Sequence, residues 1–175
     1  MSSSAWIARR LHTLEDAHID QLAGVLIDCV EGGASVSFMD PLPRERAIAF
    51  WRGVAASVTE GDRALLVVED AQGVCGSVQH VLAQPDNQPH RADLTKMLVH
   101  RRARRSGAGA ALLRAAEVTA GECGKTLLVL DTASAEAERL YERGGWTRVG
   151  VIPGYALLPR GGLCATAVYY RNLAG

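Results

Sequence analysis

The segment RRARRSGAGAALL, residues 101–113, sets four arginines in five positions directly before a run of small residues. Both halves suit an anionic ligand. Guanidinium groups grip phosphates in a bidentate manner. A helix start offers N–H groups without intrahelical partners and the positive end of the helix dipole. Over Gly107, Ala108, Gly109 and Ala110 the side chains leave those donors uncovered, so a pyrophosphate can approach the backbone itself. Two other phosphate devices fail on spacing. A Walker A loop needs lysine and a hydroxyl residue after its last glycine, and neither is present. A dinucleotide fingerprint fits Gly107 and Gly109, with Asp131 ending the next strand as a ribose-binding acid, but Leu112 holds the third glycine position. The preceding strand is expected to end at Val99 or His100, leaving an arginine-rich loop where a dinucleotide turn is tight. A long ligand with its pyrophosphate on the helix start and its remainder along the strand edge fits instead. Coenzyme A has that form. The bland alternative is close helix–sheet packing by small residues.

Two carboxylates are placed for proton chemistry. Asp131 ends the apolar run TLLVLD, and ligands of open α/β sheets gather at the carboxyl ends of strands. Its alternative use is to cap the turn at Thr132 to Ser134. Asp93 alternates in phase with Thr95 and Met97 on the strand before the arginines, unless a bulge shifts that phase. Its alternative is an exposed strand charge.

The elements that must position these groups follow from periodicity. Residues 6–12 read as a strand. Thr13 is the expected N-cap of a helix running to about Val30, with Ile19, Leu22, Ala23, Leu26 and Cys29 or Val30 on one face. Pro43 opens a second helix, with Ala47, Ile48, Trp51, Val54, Ala55 and Val58 as its stripe. Strands are expected at 63–69, 74–84 and 92–100, a helix at 107–123, and TLLVLD as a strand buried on both sides. A helix at 134–143 stops at Gly144-Gly145. WTRVGVI is a strand, PGYALLPRGGL a loop, and ATAVYYRNL the last strand. This order gives an α/β fold with a mixed, mostly antiparallel sheet of six to seven strands and about four helices.

The chain has 175 residues, 48% of them hydrophobic, and no net charge, which suits one globular domain over residues 1–175 and argues against a nucleic-acid binder. Cys29, Cys75, Cys123 and Cys164 lack CxxC spacing, and the five histidines lack metal spacing, so neither zinc nor a disulfide framework is expected. With no signal peptide and no membrane-length apolar run, the expected location is the cytoplasm.

The motif Arg104-Arg105-Ser106-Gly107-Ala108-Gly109, following Met97, Leu98 and Val99, resembles the main motif of the GNAT superfamily of acetyl-CoA-dependent N-acetyltransferases. A second family element is similar to Ala137-Glu138-Arg139-Leu140-Tyr141-Glu142-Arg143-Gly144-Gly145-Trp146, with one extra glycine before the aromatic. Ser134 stands where the family often has asparagine. RADLTKMLVHRRARRSGAG, LVLDTASAEAERLYERGGWTRVGVIPGY and GGASVSFM together look like the tabtoxin-resistance acetyltransferase group.

The resemblance implies a GNAT fold and acetyl transfer from acetyl-CoA, without a metal, by direct attack of a primary amine in a ternary complex. It implies an amino-acid-like toxin or antibiotic as acceptor, hence resistance or detoxification. Cofactor contacts then fall to Met97, Leu98, Val99, Arg104 to Ala110, Ser134, Ala137 and Tyr141. Tyr141 is the implied proton donor to the leaving sulfur, and backbone N–H groups around Leu98 and Val99 the implied polarising donors. Asp131 and Asp93 share amine deprotonation or acceptor binding. Ser35, Ser37 and Phe38, between the first two helices, are the expected acceptor-pocket residues. PGYALLPRGGL is another wall of that pocket or a homodimer contact. The rival readings are a protein N-terminal or lysine acetyltransferase and a non-catalytic coenzyme A-binding regulator.

Overall fold

The computed structural model describes residues 5–173. Seven strands form one sheet: β1 (Ala8–Leu11), β2 (Arg63–Asp70), β3 (Gly73–Val81), β4 (Arg91–Val99), β5 (Leu127–Thr132), β6 (Thr147–Leu157) and β7 (Leu163–Asn172). Four α-helices flank it: α1 (Asp16–Glu31), α2 (Arg44–Thr59), α3 (Ala108–Glu122) and α4 (Ala135–Arg143). The order across the sheet is β1-β2-β3-β4-β5-β7-β6, and only the β4–β5 pair is parallel. The expected fold class and element order are both found.

Each face of the sheet carries a core. On one side the α1 stripe Ile19, Leu22, Ala23, Leu26, Cys29 and Val30 joins Ala47, Trp51, Val54 and Val58 of α2 over Leu65, Val67 and Leu98. On the other, Leu112, Leu113, Ala116 and Ala120 of α3 cover Leu66, Val78, Leu128 and Leu130, with Tyr141, Trp146 and Tyr169 beside them.

Four local expectations are corrected. The N-cap of α1 is Glu15, which forms a capping box with His18; Thr13 is not the cap. In β5, Leu128 and Leu130 are buried while Leu127 and Val129 are only half-buried, Val129 because it borders a cleft. The segment PGYALLPRGGL is not a loop throughout. β6 continues through Pro153 to Leu157 before turning into β7, as an edge strand can, since proline there removes no needed donor. β4 does not alternate regularly. Its register against β3 shifts between Ser77 and Gln79, three β4 residues spanning two of β3, and Lys96 takes a left-handed conformation with φ +51°. Met97 therefore packs against the α3 side, while Asp93 and Leu98 share the α1/α2 side.

Candidate active site

The parallel pair β4–β5 is joined only from Arg91–Asp93 to Leu127–Val129. Beyond that the strands part, and the bulge at Lys96 and Met97 bends β4 away from its partner. A cavity of about 1000 Å³ fills the opening and reaches from the start of α3 to the α1–α2 loop.

Gly107, with φ +92°, is the N-cap of α3 and offers no side-chain cap to the first-turn amides. Its left-handed backbone is the reason for glycine there. Gly109 and Ala110 line the cavity, and a Cβ on Gly109 would already lie 3.4 Å from Leu140 of α4. The small residues thus serve close packing as well as bare amides. Ala108 is buried in the core, and Ser106 donates its hydroxyl to the Ala103 carbonyl; neither lines the cavity.

The four arginines divide. Arg101 and Arg102 are fasteners. Arg101 donates its backbone N–H to Asp28 Oδ2 at 2.9 Å and its guanidinium to the same carboxylate, while Arg102 pairs with Asp70 at 2.8 Å. Arg104 and Arg105 line the cavity. Arg104 folds back to donate to the Val99 carbonyl at 3.1 Å, and Arg105 is exposed with φ +56°.

Along β4, His100 N–H bonds to the Cys75 carbonyl, which puts Leu98 in a hydrogen-bonded pair with Ser77 and turns the Val99 amide away from β3. Of the two expected backbone donors, Val99 therefore has the open N–H, and Leu98 is held by the ladder. Ser134 caps α4 by accepting from Ala137 N–H at 3.2 Å, and both line the cavity.

Tyr141 is 3% exposed yet reaches the cavity wall, stacked at tilted angles against Trp146 and Tyr169. Burial, helped by the Asp131 charge, pushes its phenol well above the ordinary tyrosine range, so it is held protonated. Asp131 is not a cap. It accepts from the buried Thr166 hydroxyl at 2.7 Å, and Thr132 Oγ1 takes the Ser134 N–H instead. Asp93 lines the same cavity but is engaged, ion-paired with Arg91 and accepting from Gln84 at 3.2 Å.

The far wall comes from the α1–α2 loop and the β6–β7 hairpin. Ser35 and Ser37 line the cavity. Phe38 lies in an adjoining hollow of about 250 Å³, edge-on to Phe50 and half-tucked into the α1/α2 core. Tyr155 and Leu158 of the hairpin complete the wall. Asp40 N–H donates to the Pro159 carbonyl at 2.9 Å and Arg160 pairs with Asp40 at 3.1 Å, so the hairpin is tied to the loop. Sequence reasoning missed Asp28, Arg63, Lys96 and Thr166. Each is a polar residue whose meaning depends on a partner distant in sequence.

The model of the acetyltransferase (GNAT) domain family matches residues 61–148. The chain belongs to the GNAT acetyltransferases. Acetyl-CoA is the donor this family uses, and the uncapped amides at the start of α3, with Arg104 and Arg105 on the same wall, could hold its phosphates. Solved structures agree on the fold of this acetyltransferase. The N-acetyltransferase of Staphylococcus aureus Mu50 superposes with TM-score 0.79 at 18% identity, over 98% of this chain and all (100%) of that one. The yncA protein of Salmonella typhimurium, solved with its cofactor acetyl-CoA, gives 0.78 at 19%, over 98% and 96%. A phosphinothricin acetyltransferase of Sinorhizobium meliloti in complex with acetyl-CoA gives 0.77 at 17%, over 97% and 89%. Among the described residues no cluster of three or more His, Cys, Asp or Glu could hold a metal, and no helix is long and apolar enough to cross a membrane.

Proposed function

We propose that this acetyltransferase, acting as one domain over residues 1–175, moves the acetyl group of acetyl-CoA to the primary amine of a small amino-acid-like molecule by direct attack in a ternary complex. The observation that carries this is the far wall of the cavity: the hairpin is tied to the α1–α2 loop, so that Tyr155 and Leu158 stand with Ser35, Ser37 and Asp131 around a seat for a small amine.

Bound acetyl-CoA supplies an activated thioester carbonyl. Amides at the start of α3 and the Arg104 and Arg105 guanidinium groups hold its phosphates, Met97 to Val99 flank the pantetheine arm, and Ser134 and Ala137 close the other side. The Val99 N–H is the donor turned toward a developing oxyanion. An amine attacks only as the free base. Asp131, which accepts from the Thr166 hydroxyl, takes the amine proton or orients the amine. Asp93, ion-paired with Arg91, helps to orient the acceptor from β4. Tyr141, held protonated by burial, gives its proton to the departing sulfur. Ser35, Ser37 and Phe38 shape the acceptor's seat.

The phosphinothricin acetyltransferases among the structural neighbours support a role in resistance or detoxification, where acetylation blocks a toxic amine. Four unpaired cysteines support a cytoplasmic location. Apolar side chains exposed on the edge strand β6, including Val149, Val151 and Ile152, support a homodimer, which sedimentation would test. Incubation with acetyl-CoA and a library of amines and peptides, read by thiol release, tests the function. Turnover of small amines supports it. Turnover of peptides alone favours a protein acetyltransferase, and no turnover favours a non-catalytic binder.

A further inference from the structure

Lys96 sits at the bulge of β4 in a left-handed conformation that side-chain-bearing residues seldom adopt. Such strain concentrates where a side chain must be aimed. The bulge places Lys96 on the cavity wall, on the side of the α1–α2 loop. Its Nζ donates to Ser37 Oγ at 3.1 Å and lies 5.9 Å from the centre of the Phe50 ring. Among the described residues no carboxylate lies within ion-pairing distance of it, whereas Arg9, Arg91, Arg101 and Arg102 each have one. Arg63, which lines the same cavity, gives an N–H to Gln79 at 2.9 Å.

An ammonium partly withdrawn from water and answered by one hydroxyl and one aromatic face is incompletely compensated. Burial first, and the Arg63 charge second, lower its proton affinity, against the opposing pull of Asp131. An anion in the cavity would supply the missing partner. Ser37 can turn its own proton to the same anion, since a hydroxyl donates as well as accepts. Asp131 borders the same cavity as the opposite pole.

We propose that Lys96, assisted by Ser37, binds a carboxylate of the acceptor, so that the acceptor is an amino acid held with its amine at Asp131 and its carboxylate at Lys96. This rests on the reading that a small amine occupies the cavity.

The test compares 4-aminobutyrate, 5-aminopentanoate and 6-aminohexanoate with propyl-, butyl- and pentylamine, which keep the amine and lack the carboxylate. The wild-type enzyme should favour at least one amino acid over its alkylamine by about tenfold or more in kcat/KM, the worth of a charge-assisted hydrogen bond. In K96M and K96Q that ratio should fall toward one, and K96R should recover part of it. A wild-type ratio near one, or a ratio that survives both substitutions, overturns the proposal. If no amine is acetylated, the proposed function fails separately. Calorimetric binding of 5-aminopentanoate to the coenzyme A complex then decides the point: binding lost in K96M and K96Q supports the carboxylate site, and binding that is absent or unaffected overturns it. Circular dichroism of both variants excludes misfolding, and K96Q serves if K96M fails that check.

Discussion

The carboxylate of Asp28, near the end of α1, accepts the backbone N–H of Arg101 at 2.9 Å across 73 positions of sequence. It is 6% exposed and also receives the Arg101 guanidinium, with His100 3.6 Å away. One buried acid thereby fixes the turn that leads into α3. Asp28→Asn should raise the KM for acetyl-CoA several-fold and cost about 1–3 kcal/mol of stability. Urea unfolding and cofactor titration on the same variant check both.

Arg102 performs the matching task on the other side of the turn. Hydrogen bonding from Arg102 holds the Asp70 carboxyl below the usual range, and Arg9 does the same for Glu69. Depressed carboxylates contribute stability above their unfolded pKa near 4, and that contribution is lost as pH falls through the lower folded values. The thermal midpoint should therefore drop in acid below pH 4, and the drop should be shallower in Asp70→Asn.

Removing the Tyr141 hydroxyl leaves a ring that still packs on Trp146 and Tyr169. Tyr141→Phe should lower kcat by about a hundredfold, the usual worth of a general acid, with acetyl-CoA affinity little changed. Because burial holds the phenol protonated, the wild-type kcat should show no alkaline loss near pH 10, where an ordinary tyrosine ionises. Stopped-flow thiol release checks the rate, and a pH series checks the profile.

Asp131→Asn should cost more activity than Asp93→Asn. The first removes the carboxylate whose partner is Thr166; the second removes one already paired with Arg91. The expected loss is about 10²-fold in kcat/KM for Asp131→Asn, as for a general base. Equal losses would put the two acids in one relay.

At Gly107 an added Cβ meets nothing closer than 3.9 Å, so the obstacle to alanine is the φ of +92°. Gly107→Ala should cost about 1–2 kcal/mol in stability while sparing the cofactor. Gly107→Glu should in addition abolish measurable acetyl-CoA binding, because it sets a negative charge among the phosphate donors. Calorimetry distinguishes the two.

The order of elements was readable because α1, α2 and α3 carry long apolar stripes and the short polar α4 is stopped by Gly144-Gly145. Ile19 to Val30 and Leu112 to Ala120 are buried as the periodicity requires. The cavity wall at the start of α3 was readable too, since the glycines and arginines that line it are contiguous. What escaped depends on long-range partners. A single extra residue at Lys96 leaves no mark in composition, yet it turns Met97 to one face and aims Lys96 at the cavity. Asp28 looks like an ordinary helix acid until Arg101 folds against it. Pro153 and Gly154 imitate a loop because edge strands tolerate both.

The tether between Asp40 and Arg160 joins two parts of the chain that lie on either side of the segment matched by the family model. The family match spans residues 61–148, while Ser35, Ser37 and Phe38 precede it and Tyr155 and Leu158 follow it. The cavity's far wall is thus drawn from two segments far apart in the chain and clasped together in space. Because each holds the other in place, a change in the length or shape of one must be met by the other, and the two behave as a single wall.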